Sequence, residues 1–254
     1  MPAKNKKANT NNPAVAATIF VIYDGFDILD ISGPFAFMQA GGLNPVLAGP
    51  EKRSYTSGQG IQFNAQYSFN DKAIKDIVKG SFMVWVPGGF GDGLKNQFYK
   101  GNPLLTWLSE TGSKAAMVSS VCTGALVAAA AGLLNDCEVT THWAFKGSLE
   151  LFKKKTKIRI TDGYPRYLHD KKHNVVTGGG ISSGLDESIY LISVLGGDDK
   201  AMRAQLTNQY APFLQFNAGI PPTAPDGVAE FVKKEIVDDY CMKQLDPVIK
   251  KFLK

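Results

Sequence analysis

The sequence predicts an α/β fold built on a mostly parallel sheet. Three observations carry that prediction. Ala16 to Tyr23 is a continuous β-branched and aromatic run, the pattern of a strand buried on both faces. Phe82-Met83-Val84-Trp85-Val86 repeats the pattern and ends in Pro87-Gly88-Gly89. Met117-Val118-Ser119-Ser120-Val121 then runs into Cys122, where Thr123-Gly124 turns the chain into the helix formers Ala125-Leu126-Val127-Ala128-Ala129-Ala130.

After the first strand, Asp24-Gly25-Phe26-Asp27 reads as a loop, and Ile28 to Pro34 leads into Phe35-Ala36-Phe37-Met38. Asp30 therefore stands at the mouth of the first strand-to-helix connection, the edge of an open α/β sheet where ligands bind. It reads either as a cap or solvated carboxylate, or as a half-buried acid flanked by Leu29 and Ile31 and suited to proton transfer. Asn44 to Ala48 is a second strand, and residues 54–69 suggest a small hairpin at the sheet's edge. Gly88 and Gly89 follow a central strand. They form either a plain turn or a place where backbone N–H groups converge on an anion.

A helix is expected over Asn102 to Glu110, and then comes the cysteine elbow. A sulfur at the start of a helix gains from its dipole, which favours the thiolate. The other reading is a packed, inert cysteine. Val139 to Trp143 is a short strand or strand end. His142 within it serves as a base or orienting partner for Cys122, or simply packs, the commoner fate of a lone histidine. His169 and His173 flank the charged turn Asp170-Lys171-Lys172 and are expected to face solvent. Tyr167 to His169 and Asn174 to Thr177 pair as a hairpin. Gly178-Gly179-Gly180-Ile181 leads to Ser182 or Ser183, either of which suits a cap for a helix running to Leu195. Met202 to Tyr210 is helical, Ala211 to Pro225 is a non-helical arm, and Asp226 to Lys254 is an amphipathic helix or pair of helices.

Composition narrows the function classes. Of 254 residues, 44% are hydrophobic and 20% charged, which is ordinary for a globular chain. The net charge of +5 gathers in terminal lysines and in Lys153-Lys154-Lys155. That is a solvated surface pattern, so no nucleic-acid partner is expected. No apolar run reaches membrane-span length, so no membrane partner is expected either. Cys122, Cys137 and Cys241 show neither C-x-x-C nor zinc spacing, which fits a reducing, cytoplasmic setting. Residues 1–14 are expected to be a disordered tail. With no repeat or clear linker, 15–226 is expected to be one domain, with 227–254 a helical extension packed on it.

Several segments carry a family resemblance. They are Leu29-Asp30-Ile31-Ser32-Gly33-Pro34, Pro87-Gly88-Gly89, Ser119-Ser120-Val121-Cys122-Thr123-Gly124, Ala131-Gly132-Leu133-Leu134, Thr140-Thr141-His142-Trp143, Thr177-Gly178-Gly179-Gly180-Ile181, Gln209-Tyr210-Ala211-Pro212 and Phe216-Asn217-Ala218-Gly219, then Thr223-Ala224-Pro225. Across residues 16–226 the chain resembles the ThiJ/PfpI superfamily, and within it the isonitrile hydratase branch. The resemblance implies a flavodoxin-like three-layer sandwich with helices on both faces of the sheet. It implies Cys122 as nucleophile, Asp30 as general acid/base, and Gly88, Gly89 and Thr123 lining the pocket near the sulfur. It places His142 and Ile181 around them. It also implies a homodimer acting on a small molecule with no metal or organic cofactor.

The departures are informative. Thr123 stands where PfpI-type proteases place a histidine after the nucleophile. Asp30 stands where the glyoxalase and deglycase branch uses glutamate. Residues 178–186 supply no His/Glu pair of the amidotransferase kind. The expected function is hydration of an isonitrile to a formamide. The alternatives are a glyoxalase or deglycase acting on small carbonyls, and a non-catalytic ligand or redox sensor.

Overall fold

The structure is a computed structural model that describes residues 15–254. The predicted tail, 1–14, lies outside the described residues. The strands are β1 (Ala17–Val21), β2 (Pro45–Gly49), β3 (Ser54–Thr56), β4 (Gln62–Asn64), β5 (Tyr67–Ser68), β6 (Phe82–Val86), β7 (Met117–Ser120), β8 (Glu138–Val139), β9 (Arg159–Ile160), β10 (Tyr167–Asp170) and β11 (Val175–Gly178). Seven of them form one sheet in the order β10-β11-β7-β6-β1-β2-β5. All its pairings are parallel except β10 against β11.

This order explains where a site can form. From β1 the chain adds β2 on one side, then returns to add β6 on the other. The connections after β1 and β6 therefore leave in opposite directions and open a crevice beyond their carboxyl ends. The strands that were continuous apolar runs in sequence are the buried centre: every residue of β1 and β6 is buried. Trp85 and Phe20 stack there, with ring centroids 5.4 Å apart.

Two groups of helices cover the sheet. Ile28–Ala40, Ser183–Gly196 and Asp198–Thr207 pack together on one layer. Pro103–Glu110, Gly124–Ala130 and Lys146–Glu150 pack on the other. The result is the flavodoxin-like sandwich expected from the sequence. The C-terminal segment is one continuous helix rather than a pair: Asp226–Val232, Lys233–Leu245 and Asp246–Phe252 follow without a break. Its central stretch closes π-type hydrogen bonds, a rare geometry that recurs at functional sites. Leu245 and Ile249 are fully buried, and Ser148 Oγ donates to Asp246 Oδ1 at 2.6 Å.

Several expectations need correction. The 54–69 hairpin is the separate β3–β4 pair, whereas the sheet's edge is β5, running parallel to β2. Asp30 is fully buried rather than half-buried, in the first turn of Ile28–Ala40. The cap of that helix is Asp27, whose carboxylate accepts the Leu29 N–H at 3.0 Å. Ser182 occupies the cap position of the later helix, but its hydroxyl accepts from Arg166 and caps nothing. His169 and His173 do not face solvent freely. His169 Nδ1 lies 2.7 Å from the Tyr190 hydroxyl, and His173 Nδ1 lies 3.0 Å from Asp170. Folding also gathers Cys137, Asp170 and His173 within 4.8 Å, a grouping no sequence spacing announced. Asp170 there accepts the backbone N–H groups of Glu138, Lys172 and His173, which ties β8 to the hairpin turn.

Candidate active site

Three connections meet at the crevice. Ile28–Ala40 brings Asp30 from the end of β1, Pro87-Gly88-Gly89 follows β6, and Cys122 follows β7. Cys122 adopts φ +58°, the left-handed region that a side-chain-bearing residue enters at a cost of about 1–3 kcal/mol. Its surroundings hold it there: its N–H donates to Gly179 O at 2.8 Å, and its carbonyl accepts from Thr141 Oγ1 at 2.7 Å. The strained turn tips the side chain out of the strand direction. Gly124 makes the turn possible, because a Cβ there would sit 2.2 Å from Val86 O.

Gly88 is the junction between acid and nucleophile loop. Its N–H donates to Asp30 Oδ2 at 2.7 Å. A Cβ at Gly88 would stand 2.8 Å from that oxygen and 2.7 Å from the Thr123 nitrogen, so only glycine fits. Trp85 Nε1 donates to the Asp30 carbonyl at 2.8 Å and fixes the first helical turn. The other carboxylate oxygen, Asp30 Oδ1, is buried and has no hydrogen-bond partner among the described residues. A buried lone oxygen of this kind is costly unless a ligand or a proton satisfies it.

The electrostatics favour a shared proton. Burial pushes the Asp30 carboxyl well above its usual range, and the negative charge of Asp27 adds to this. Burial also pushes the Cys122 thiol up, the Asp30 charge pushes it further, and the Thr123 backbone N–H pulls it back. Burial and the neighbouring carboxylate thus oppose the thiolate that a helix dipole favours. In this dry site sulfur and carboxyl hold protons tightly, and ionising one disfavours ionising the other.

Cys122 opens on a cavity of about 790 Å³, within the range of small-molecule sites. Its walls include Gly89, Thr123, His142 and Ile181, together with Phe90 and Phe145. Gln59, from the β3–β4 turn, closes one side and donates to Asp27 at 2.7 Å. The C-terminal helix closes another with Glu235, Ile236, Asp239, Tyr240 and Gln244.

The family description DJ-1/PfpI matches residues 16–190. The chain belongs to the DJ-1/PfpI family. Among curated relatives, the isonitrile hydratase of Pseudomonas putida is 32% identical over 216 residues, covering 85% of this chain and 87% of that protein. A crystal structure of a ThiJ/PfpI family protein from Pseudomonas syringae superposes with TM-score 0.77 at 24% identity, covering 99% of this chain and 96% of that one. An AraC family transcriptional regulator from Pseudomonas putida superposes at 0.61 with 16% identity, covering 76% of this chain and 98% of that one. The two structural likenesses show the fold.

Placed within this DJ-1/PfpI sandwich, the expected site residues divide. Cys122, Asp30, Gly88, Gly89 and Thr123 come together. Gly89 and Thr123 line the cavity beside the sulfur. The Thr123 hydroxyl donates to Gly89 O at 2.7 Å and accepts the Gly89 N–H at 2.8 Å, which locks the two loops together. Both the backbone N–H and the hydroxyl of Thr123 also interact with Cys122. His142 is wall rather than base. Its Nδ1 accepts the Ala144 N–H at 3.3 Å, and burial lowers its pKa to about 4, so it is neutral near pH 7. Asp186 binds Arg166 at 2.6 Å and the Tyr210 hydroxyl at 2.7 Å, pinning the arm's first residues to the domain.

Sequence reasoning missed Glu187. It is fully buried, accepts from Ser119 Oγ at 2.5 Å, and burial pushes its pKa up to about 8. Its place one helical turn beyond Ser183 and Gly184, on an otherwise apolar face, was the available signal. Folding favours the neutral form. Stability from this group is therefore complete below its ordinary value of 4.5 and falls as pH rises toward about 8. Glu187→Gln keeps an acceptor for Ser119 and should remove that decline. Relative to the variant, wild type should lose up to about 1.4 kcal/mol per pH unit across the window. Denaturant unfolding at a series of pH values measures this, and parallel curves for the two proteins would refute it.

Proposed function

We propose that this chain hydrates an isonitrile to an N-substituted formamide, with Cys122 as nucleophile and Asp30 as the proton carrier. The observation that carries the reading is Asp30: a fully buried carboxyl, anchored by one oxygen to Gly88 where the Thr123 nitrogen also approaches, with its other oxygen unpartnered among the described residues. Similarity to the Pseudomonas putida isonitrile hydratase over most of both chains supports it.

The chemistry follows from the shared proton. An isonitrile presents a carbon that must gain both a nucleophile and a proton. Sulfur bonds to that carbon while the carboxyl delivers hydrogen to it, giving a thioimidate in which the thiol's S–H has in effect been added across the carbon. The Asp30 carboxyl, restored by the thiol's proton, then protonates the thioimidate nitrogen, and the carboxylate so formed takes a proton from the water that attacks the same carbon. The C–S bond breaks as the new hydroxyl passes its proton through Asp30 to sulfur, and the formamide leaves with thiol and carboxyl restored. No oxidant is consumed, and the protons balance within the pair and one water. A homodimer belongs to the same proposal. The arm leaves Phe213 at 89%, Leu214 at 73% and Phe216 at 77% exposure, an apolar patch that association would cover.

Incubating the protein with cyclohexyl isocyanide should give N-cyclohexylformamide, followed by mass spectrometry, while methylglyoxal in parallel should be left largely unchanged. Turnover of methylglyoxal without isonitrile turnover would replace this reading by the glyoxalase one. Ligand binding without turnover of either would favour a sensor.

A further inference from the structure

The wall opposite the nucleophile comes from the C-terminal helix, beyond the family match at residues 16–190. Every residue this helix gives to the cavity lies in its π-type stretch, Lys233–Leu245. With i→i+5 bonding, Glu235 and Tyr240 fall on one side of the helix. Tyr240 is fixed in place: its hydroxyl donates to Gly91 O at 2.8 Å, and its ring centroid lies 4.1 Å from Phe90 and 6.1 Å from Phe145. Ile236 stands one turn before it. Together these side chains give the cavity that Cys122 opens on a largely apolar wall.

The charges on the lining have one sign. The cavity is bordered by Asp27, Glu235 and Asp239, and among the described residues no lysine or arginine lines it. Lys243 neutralises Asp239 in part, at 2.5 Å. Glu235 is exposed and, among the described residues, has no ion pair. Lys95 Nζ donates to the lining residue Gln244 at 3.1 Å, so the negative sign belongs to the lining itself, where fixed carboxylates favour cations over anions.

We propose that this helix is the specificity wall of the site: Ile236 and Tyr240 with Phe90 and Phe145 take an apolar group on the isonitrile nitrogen, and Glu235, Asp239 and Asp27 select neutral or cationic substrates over anionic ones. The substrate class follows as isonitriles with an apolar body, with or without an amine at the far end. The inference rests on the hydratase reading for its substrate, but its charge selection is testable without turnover.

Cys122 is titrated with two methanethiosulfonates of similar size, one bearing an ethylammonium and one an ethylsulfonate. Modification at Cys122 is located by peptide mass spectrometry, and rates are scaled to those of a small free thiol. The cationic reagent should label at least about tenfold faster at low salt, and the advantage should shrink as salt rises. In the double variant Glu235→Gln/Asp239→Asn the ratio should fall toward one. Equal rates in wild type, a faster anionic reagent, or an unchanged ratio in the variant would overturn the charge selection. For the apolar wall, Tyr240→Ala should raise KM for cyclohexyl isocyanide at least about tenfold, with a smaller change for methyl isocyanide. An equal effect on both would overturn it. If no isonitrile is turned over at all, the hydratase reading fails, and the labelling ratio still decides the charge selection.

Discussion

Asp30→Asn is expected to lower isonitrile turnover by at least ~10²–10⁴-fold, the span typical of losing a general acid/base. The substitution is chosen to spare the structure. An asparagine carbonyl can still accept the Gly88 N–H, so the anchor measured at 2.7 Å survives. The amide cannot carry a proton from sulfur to carbon or take one from water. Stability should change in a direction set by linkage. Folding raises the Asp30 pKa, so wild type loses stability as pH rises above the ordinary carboxyl value, and an uncharged amide escapes that loss. A variant that is folded, at least as stable at pH 8, and inactive would carry the assignment. Wild-type turnover in Asp30→Asn would end it. Steady-state kinetics beside denaturant unfolding give both readouts.

Cys122→Ala is expected to abolish turnover and, with it, any covalent intermediate. Acid quench of wild type during turnover should show a protein mass increased by the isonitrile, located at Cys122. The alanine variant should show none. The left-handed backbone at φ +58° persists in the variant, because it is held by Gly179 O and the Thr141 hydroxyl rather than by sulfur. Lost activity is therefore not explained by a collapsed elbow. An alanine variant that still forms formamide would show that Asp30 and water suffice, and the covalent route would fail.

Much of this site is legible in the sequence because its parts sit on strong local signals. β1, β6 and β7 are apolar runs that can only be buried, and Asp30, Gly88 and Cys122 follow their ends. Parallel topology then requires those ends to meet on one edge. What the sequence hides is what each group does with its neighbours. Thr123 looks like a pocket donor, yet its hydroxyl also ties its loop to Gly89, a partner 34 residues away. The helix-dipole argument favours a thiolate, but it concerns one short helix, and burial beside Asp30 acts against it. Glu187 and the wall formed by Ile236 and Tyr240 were not visible, because an acid on a helix and an amphipathic tail look alike whether they face water, core or ligand. His169 shows the same limit in reverse: it looked solvent-facing until folding brought Tyr190 to its ring.

The C-terminal helix has a consequence for how such a pocket can change over generations. One unbroken rod meets two demands: Ile236 and Tyr240 must face the cavity, while Leu245 and Ile249 must face the core. Deleting or inserting one residue between those pairs would rotate one against the other by roughly a quarter of a turn. Either the cavity wall or the core plug would then point the wrong way. Exchanges of one side chain for another cost far less on the cavity face, where the backbone phase is untouched. This helix can thus retune what the pocket accepts by substitution, while its length between Tyr240 and Leu245 is held constant by the core.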